Sequence, residues 1–386
     1  MDDILIIGGG VIGSSIAYHL ARDGRAGQVT VIERDATYAE ASTPRSLGGV
    51  RQQFSLAENV LMSQYGLSVY QNFAEDMAID GEPAAVDFRQ DGYLFPASAD
   101  GMAVIEANHR LQSSLGSTIE LLDLDDLAER FPWLSLDGLA GGAFGPEDGW
   151  LDPHGALQGF RRKARSLGVT YVEDEVVAID QNQSRIEAVR LKSGETRPAG
   201  QVVNAAGAWS GLVADMVGMT LPIVPSRRQV FFVEIREKLG PAPLVIDGTG
   251  VYFRPEGRGY LTGWSNPNEP EGFHFEVDHD YFTNDIWPKL AARVPAFEAL
   301  KVTQSWACHY DLNSLDENLI IGPWVGGCEN FHLACGFSGH GLQQAPAVGR
   351  AMAELLLDGR FMTIDLSRMT YQRVIDNNPL YETGIF

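Results

Sequence analysis

The opening stretch constrains this chain more than any other: Ile4-Leu5-Ile6-Ile7, then Gly8-Gly9-Gly10-Val11-Ile12-Gly13, then Ile16, Ala17, Leu20 and Ala21 at helical spacing. Four apolar, mostly branched residues in a row read as a parallel strand buried on both faces. The motif Gly-x-Gly-x-x-Gly follows at once and opens a helix that Gly24 closes. A second strand, Val29-Thr30-Val31-Ile32, ends at Glu33, twenty residues after Gly13. In this order the parts form a dinucleotide site. Gly8 permits the tight turn, Gly10 lets backbone approach a pyrophosphate, and Gly13 lets helix and strand pack closely. Val11 and Ile12 start a helix whose N–H groups and dipole favour phosphate. An acid at Glu33 suits an unphosphorylated ribose, hence FAD or NAD rather than NADP.

Later segments choose between them. The loop Ser42-Thr43-Pro44-Arg45-Ser46-Leu47-Gly48-Gly49-Val50-Arg51 replaces the helix that usually follows in NAD enzymes. Val202-Val203-Asn204-Ala205-Ala206-Gly207-Ala208-Trp209 is a strand running into a small-residue turn. Near the end, Phe331 to Cys335 leads into Gly336-Phe337-Ser338-Gly339-His340-Gly341 and an amphipathic helix from about Leu342 to Leu357. A glycine turn opening a helix gathers N–H groups and a positive dipole end. A reduced flavin develops negative charge that such an end would stabilise.

These motifs, with Glu147-Asp148-Gly149-Trp150-Leu151-Asp152-Pro153, resemble the FAD-dependent D-amino-acid-oxidase-like superfamily in its glycine and sarcosine oxidase branch, over essentially the whole chain. Within it, Ser46 to Ser55, Trp306-Ala307 and Gly339 to Pro346 are most similar to the mitochondrial FAD-dependent oxidoreductase-domain proteins that assist complex I assembly. The resemblance implies an α/β fold: a Rossmann-like, glutathione-reductase-like FAD-binding domain interleaved with an α+β substrate domain built on an antiparallel sheet. The FAD domain is expected in 1–85, 140–220 and 305–365, the substrate domain in 86–139 and 221–304, and a C-terminal tail in 366–386. Arg228 to Glu234, Gly250 to Pro255 and Gly259 to Trp264 read as strands, with a hairpin turn at Glu256-Gly257-Arg258-Gly259.

The resemblance also implies site residues. FAD is expected against Gly8, Gly10, Val11, Ile12, Gly13, Glu33 and Arg34, and against the loop residues Ser42, Thr43, Arg45, Ser46, Leu47 and Gly48. Val176 and Val177 are expected where backbone meets the adenine. Ala206, Gly207, Trp209, Gly336, Ser338, Gly339, His340, Gly341, Leu342 and Gln343 are expected around the flavin. Arg51 falls where sarcosine oxidases pair an Arg with the substrate carboxylate, a bidentate task for a guanidinium. Gln343 stands where those enzymes have a Lys. Tyr252, Arg254, His309 and Tyr310 are expected on the substrate face. Cys308, two before Tyr310, matches the cysteine that links covalently to flavin in that family, but the neighbouring spacing differs by one, and a free thiol filling a small apolar core position is the preferred reading.

The implied reaction is oxidation of the C–N bond of a secondary amine or amino acid, sarcosine-, glycine- or iminodiacetate-like, to an imine. Two other readings fit the same residues: a flavin-binding assembly factor or subunit, and a 2-hydroxy-acid dehydrogenase. Only five of the 29 basic residues are Lys, and none falls in a flavin motif. Sarcosine oxidases use a flavin-side Lys to react with oxygen, so slow oxygen reactivity and an electron-accepting partner protein are expected. The net charge of −22 disfavours nucleic acid or an anionic membrane as partner. No stretch is long and apolar enough for a membrane span. Three cysteines in no paired spacing read as reduced thiols of a cytoplasmic protein. The eight histidines show no metal-binding spacing.

Overall fold

The computed structural model describes residues 3–384. The chain start at Met1-Asp2 and the last two residues of the expected 366–386 tail lie outside the described residues. Two large sheets carry the fold. The first has six strands in the order Ile320–Pro323, Phe331–Cys335, Gln201–Asn204, Ile4–Ile7, Val29–Glu33, Thr170–Glu173. All its pairs are parallel except the edge strand Ile320–Pro323. Ile4–Ile7 lies at its centre and is fully buried. Alternation splits its side chains between two cores. Ile4 and Ile6 meet the helices Val11–Asp23, Pro153–Ser166 and Gly341–Asp358. Leu5 and Ile7 meet the three-stranded sheet Val176–Asn182, Arg185–Leu191, Thr196–Pro198 through Val176, Ile179 and Val189.

Gly13 explains how closely helix Val11–Asp23 sits on this sheet. A Cβ there would lie 1.9 Å from the Gly8 carbonyl oxygen, so any side chain would push helix from strand. Gly24 closes the helix in the left-handed conformation, its N–H on the Leu20 carbonyl.

The second sheet has eight strands: Lys301–Asn313, Ile223–Glu234, Gly259–Gly263, Tyr252–Glu256, Leu244–Ile246, Tyr93–Ala97, Gly141–Gly145, Glu120–Leu122. It is antiparallel except where Leu244–Ile246 runs parallel to Tyr93–Ala97. The hairpin turn falls between Tyr252–Glu256 and Gly259–Gly263 as expected. Two boundaries differ. Gly141–Gly145 joins this sheet rather than the expected FAD piece 140–220, pairing with Tyr93–Ala97 and Glu120–Leu122. Lys301–Asn313 likewise runs past 305 along the whole of Ile223–Glu234, from Glu234 opposite Lys301 to Ile223 opposite Asn313. Gly-Gly-Ala-Phe-Gly has little strand propensity of its own; it is a strand because two neighbours supply ladder partners. The long ladder carries the chain from one sheet to the other, and a cavity opens between them.

Candidate active site

The cavity measures about 1430 Å³, larger than the roughly 300–1,000 Å³ of an ordinary small-molecule pocket. At one end lie Gly8, Gly10, Val11, Ile12, Glu33, Arg34 and Val176. Glu33 accepts the Gly9 N–H at 2.7 Å and the Asp35 N–H at 2.9 Å. Burial raises its carboxyl above the usual range, and those two N–H groups oppose the rise. Helix Val11–Asp23 has no side-chain cap from its own N-cap residue, Gly10; its first N–H, of Val11, donates to Thr43 Oγ1 on the lining at 3.4 Å. Arg34 stacks 4.1 Å over the Trp209 ring and pairs with Glu40, forming one wall.

The middle is built by the loop after Ala41 and the start of helix Gly341–Asp358. Ser42 donates to the His309 carbonyl, and Trp306 Nε1 donates to the Arg45 carbonyl at 2.9 Å, stitching the loop to Lys301–Asn313. Ser42, Thr43, Ser46, Leu47 and Gly48 line the space. Opposite them, Asp311 is buried and accepts from the Gly336 and Phe337 N–H groups at 2.7 and 3.1 Å. Burial pushes its carboxyl up to about 6, against the pull of those donors. This fixes the turn before the helix. At Gly339 a Cβ would stand 2.5 Å from the Tyr310 ring, so the motif's glycine lets that ring approach the turn. His340 is half-buried on the cavity lining and held neutral, its imidazole pushed down to about 3 chiefly by desolvation.

These features fit a flavin dinucleotide. Two helix N-termini without a side-chain cap from their own N-cap residues, Gly10 and His340, face one continuous cavity. Tyr38 Oη, Ser46 Oγ and Arg228 Nε are buried on cavity-lining residues without a partner among the described residues. FAD would be held by Glu33 at its ribose, by the Gly10 helix end at its phosphates, and by the Ser42–Gly48 loop with Gly339–Gln343 at its ring.

At the far end, Arg51 lies 4.6 Å over Phe54, 5.5 Å over Phe95 and 5.7 Å over Tyr93. Its Nη1 reaches Tyr93 Oη at 3.5 Å, and its backbone N–H donates to Gln343 Oε1 at 2.8 Å. Gln343 thus fixes the Arg51 main chain rather than adding a charge. Behind it, buried Asp148 accepts from Gln52 N–H and Nε2 and from Gln53 Nε2. Burial pushes Asp148 up to about 7. Tyr252 and Tyr310 complete the wall; burial raises both phenols, Tyr310 to about 12.

Several expected residues sit elsewhere. Arg254 does not line the cavity: it donates to the Leu47 carbonyl at 2.7 Å and pairs with Glu256, so it anchors the loop from behind. His309 turns away and accepts the His274 N–H at 2.9 Å, beside Phe273 and Phe275. Arg45 points at the Ala307 carbonyl. Val177 is on the exposed face of its strand while Val176 faces in, the consequence of period-two alternation. Gly13 and Gly336 act in packing and turn geometry behind the lining. Cys308 is buried outside the lining; burial raises its thiol to about 11, so it is protonated at neutral pH. Sequence reasoning missed Tyr93, Phe95 and Arg228, all on the lining.

Among the described residues, no cluster of His, Cys, Asp and Glu is arranged for a metal, and no helix is long and apolar enough to cross a membrane. The family model described as "DAO: FAD dependent oxidoreductase" matches residues 3–355. The chain is 42% identical to FAD-dependent oxidoreductase domain-containing protein 1 of Bos taurus, over 96% of this chain and 84% of that protein. It is 26% identical to mitochondrial dimethylglycine dehydrogenase of Rattus norvegicus, over 96% of this chain and 45% of the relative. Among solved structures, L-proline dehydrogenase of P. horikoshii superposes with a TM-score of 0.88 at 27% identity, covering 98% and 99% of the two chains.

Proposed function

This chain belongs to the DAO family of FAD-dependent oxidoreductases, and from that premise we propose that it oxidises the C–N bond of a carboxylate-bearing secondary amine or amino acid. The observation that carries this reading is Arg51, held among Phe54, Tyr93 and Phe95 at the end of the cavity beyond the loop and the Gly339 turn. A guanidinium there takes a carboxylate in two parallel hydrogen bonds. The substrate carbon bonded to nitrogen is then directed back toward the flavin end. Bound FAD supplies the two-electron acceptor. The substrate loses a hydride equivalent from carbon and a proton from nitrogen. The resulting imine adds water to give an amine and a carbonyl compound.

The amine must be neutral to react. Apolar walls disfavour its ammonium form and lower its pKa on binding. Tyr252 and Tyr310, held protonated, can accept the amine N–H or donate to the carboxylate. Two relatives, named for dimethylglycine and for proline, act on secondary or tertiary amines, which favours an amine over a 2-hydroxy acid.

We read the protein as a dehydrogenase. None of the five lysines lines the cavity, so no ammonium stands beside the flavin to promote reaction with oxygen. Electrons would pass to a carrier protein. The three free, buried cysteines suit a reducing compartment such as the cytoplasm.

Anaerobic mixing with sarcosine, dimethylglycine, glycine, iminodiacetate, proline and D-amino acids should bleach the flavin absorbance with at least one amine. Failure of every amine would sink the reading, and bleaching by lactate or 2-hydroxyglutarate alone would replace it. Inert flavin with a stoichiometric partner protein would point to a flavin-binding assembly factor. Reduced enzyme should reoxidise slowly in air and quickly with a soluble quinone; fast reoxidation in air would make it an oxidase.

A further inference from the structure

Arg228 is the second guanidinium at the substrate end, and the reaction proposed above gives it no task. It lies on the inner strand Ile223–Glu234, opposite Cys308 in the ladder, with its guanidinium 4.7 Å over the Tyr310 ring. Arg51, near Tyr93, is close enough that both guanidiniums act electrostatically on the Tyr310 phenol. Among the described residues, all hydrogen bonds of Arg228 leave through Nη1, to Ser226 Oγ at 2.8 Å and the Arg227 carbonyl at 2.9 Å. Its Nε is buried without a partner among the described residues. The acid on this wall, Glu269, is already engaged by Arg227 at 2.6 Å. Asp148 is buried behind the Arg51 loop and bonded to Gln52 and Gln53. A partly buried cation without a carboxylate partner is costly unless a ligand brings the anion.

We propose that the substrate is a dianion, a secondary amine carrying two carboxylates, with one carboxylate on Arg51 and the other on Arg228 across Tyr310. The chemical class is an N-carboxymethyl amino acid or an N-substituted dicarboxylic amino acid. A substrate with one carboxylate would leave Arg228 uncompensated in the closed site. The inference rests on the amine reading for its reactive nitrogen, but its charge pattern can be tested without turnover.

The test uses the FAD-loaded enzyme and two unreactive ethers, diglycolate as the dianion and methoxyacetate as the monoanion, titrated by the change in flavin absorbance. Diglycolate should bind at least about 10-fold tighter, the worth of one charge-assisted hydrogen-bonded contact. Arg228→Gln should remove that advantage, and Arg228→Lys should restore part of it. Equal binding of the two ethers by the unaltered enzyme overturns the proposal whether or not any amine is oxidised. So does an advantage that survives in Arg228→Gln. If Arg228→Gln instead loses FAD on gel filtration, Arg228 serves the cofactor and the proposal is wrong. If the ethers behave as expected while no amine bleaches the flavin, the dianion site stands and the amine chemistry falls.

Discussion

At the scale of single residues, the far end of the cavity is governed by two arginines and by one buried acid. Arg51→Lys keeps the charge but gives up the planar fork, so methoxyacetate should bind about 10-fold more weakly, and Arg51→Gln about 100-fold more weakly. Unchanged binding in Arg51→Gln would remove Arg51 from the site. Asp148 makes a separate prediction. Burial raises its pKa to about 7 in the folded chain, from an ordinary carboxyl value of 3.8. The folded state therefore holds the extra proton between those limits, and stability falls as pH rises through them. Asp311, raised to about 6 by burial, acts in the same direction. Asp148→Asn cannot ionise, so its melting temperature should fall less steeply between pH 5 and 8 than that of the unaltered chain. Parallel slopes would show that Asp148 does not titrate there. Arg51 and Gln343 were legible because each sits in a short motif whose local order fixes its place. Arg228 was not. Arg227 and Arg228 are consecutive on one strand and point to opposite faces, and which of them faces inward depends on pairing with residues some eighty positions later.

At the scale of elements, the first strand, glycine turn and helix were legible almost to the residue, because period and turn chemistry are local signals. The helix expected from about Leu342 runs Gly341–Asp358 and keeps Pro346 at its sixth position; the Leu342 carbonyl that loses its backbone donor there accepts instead from Tyr70 Oη at 2.6 Å. The elements that sequence misplaced, Gly141–Gly145 and the part of Lys301–Asn313 from 305 onward, take their structure from non-local ladders. The turn before the last helix gives the sharpest test at this scale. Gly339 combines a φ of +102° with the Tyr310 ring against its absent Cβ. Gly339→Ala therefore adds backbone strain of about 1–3 kcal/mol and displaces the ring at the flavin end. FAD affinity, measured by reconstituting apoprotein, should fall at least about 10-fold. Gly359→Ala is the control: its φ is +70° but nothing lies within 4 Å of its Cβ. It should lower the melting temperature, at a cost of about 1 kcal/mol, with FAD affinity intact. Equal effects of both variants on FAD would mean general destabilisation rather than a local contact.

At the scale of the whole molecule, two sheets share one chain that crosses between them repeatedly, so the cavity wall draws on segments far apart in sequence. The tail belongs to that wall. Tyr381 to Gly384 line the cavity beside Phe54, Ser55 and Asn108. Glu382 accepts the Ser55 N–H at 2.6 Å, the Leu56 N–H at 3.3 Å, and bonds from Ser55 Oγ and Asn59 Nδ2. Helix Ala57–Gln71 has no side-chain cap from its own N-cap residue, Leu56, and carries Glu58 in its first turn; Glu382 adds a second anion at this end from the far end of the chain, bonded to the N–H groups that lead into the helix. The same loop begins at Arg51. Anchoring Ser55 and Leu56 therefore limits how far the Arg51 main chain can move, together with Gln343 at its N–H. Glu382→Ala should cost about 1–2 kcal/mol of stability, as the loss of a helix cap does. It should also weaken methoxyacetate several-fold while FAD affinity stays unchanged, since the phosphate and ribose contacts lie at the opposite end. Glu382→Gln keeps an acceptor and should recover most of the binding. Were Glu382→Ala to melt earlier yet bind methoxyacetate as before, the tail would be a brace for the helix alone, and the Arg51 loop would hold its place without it.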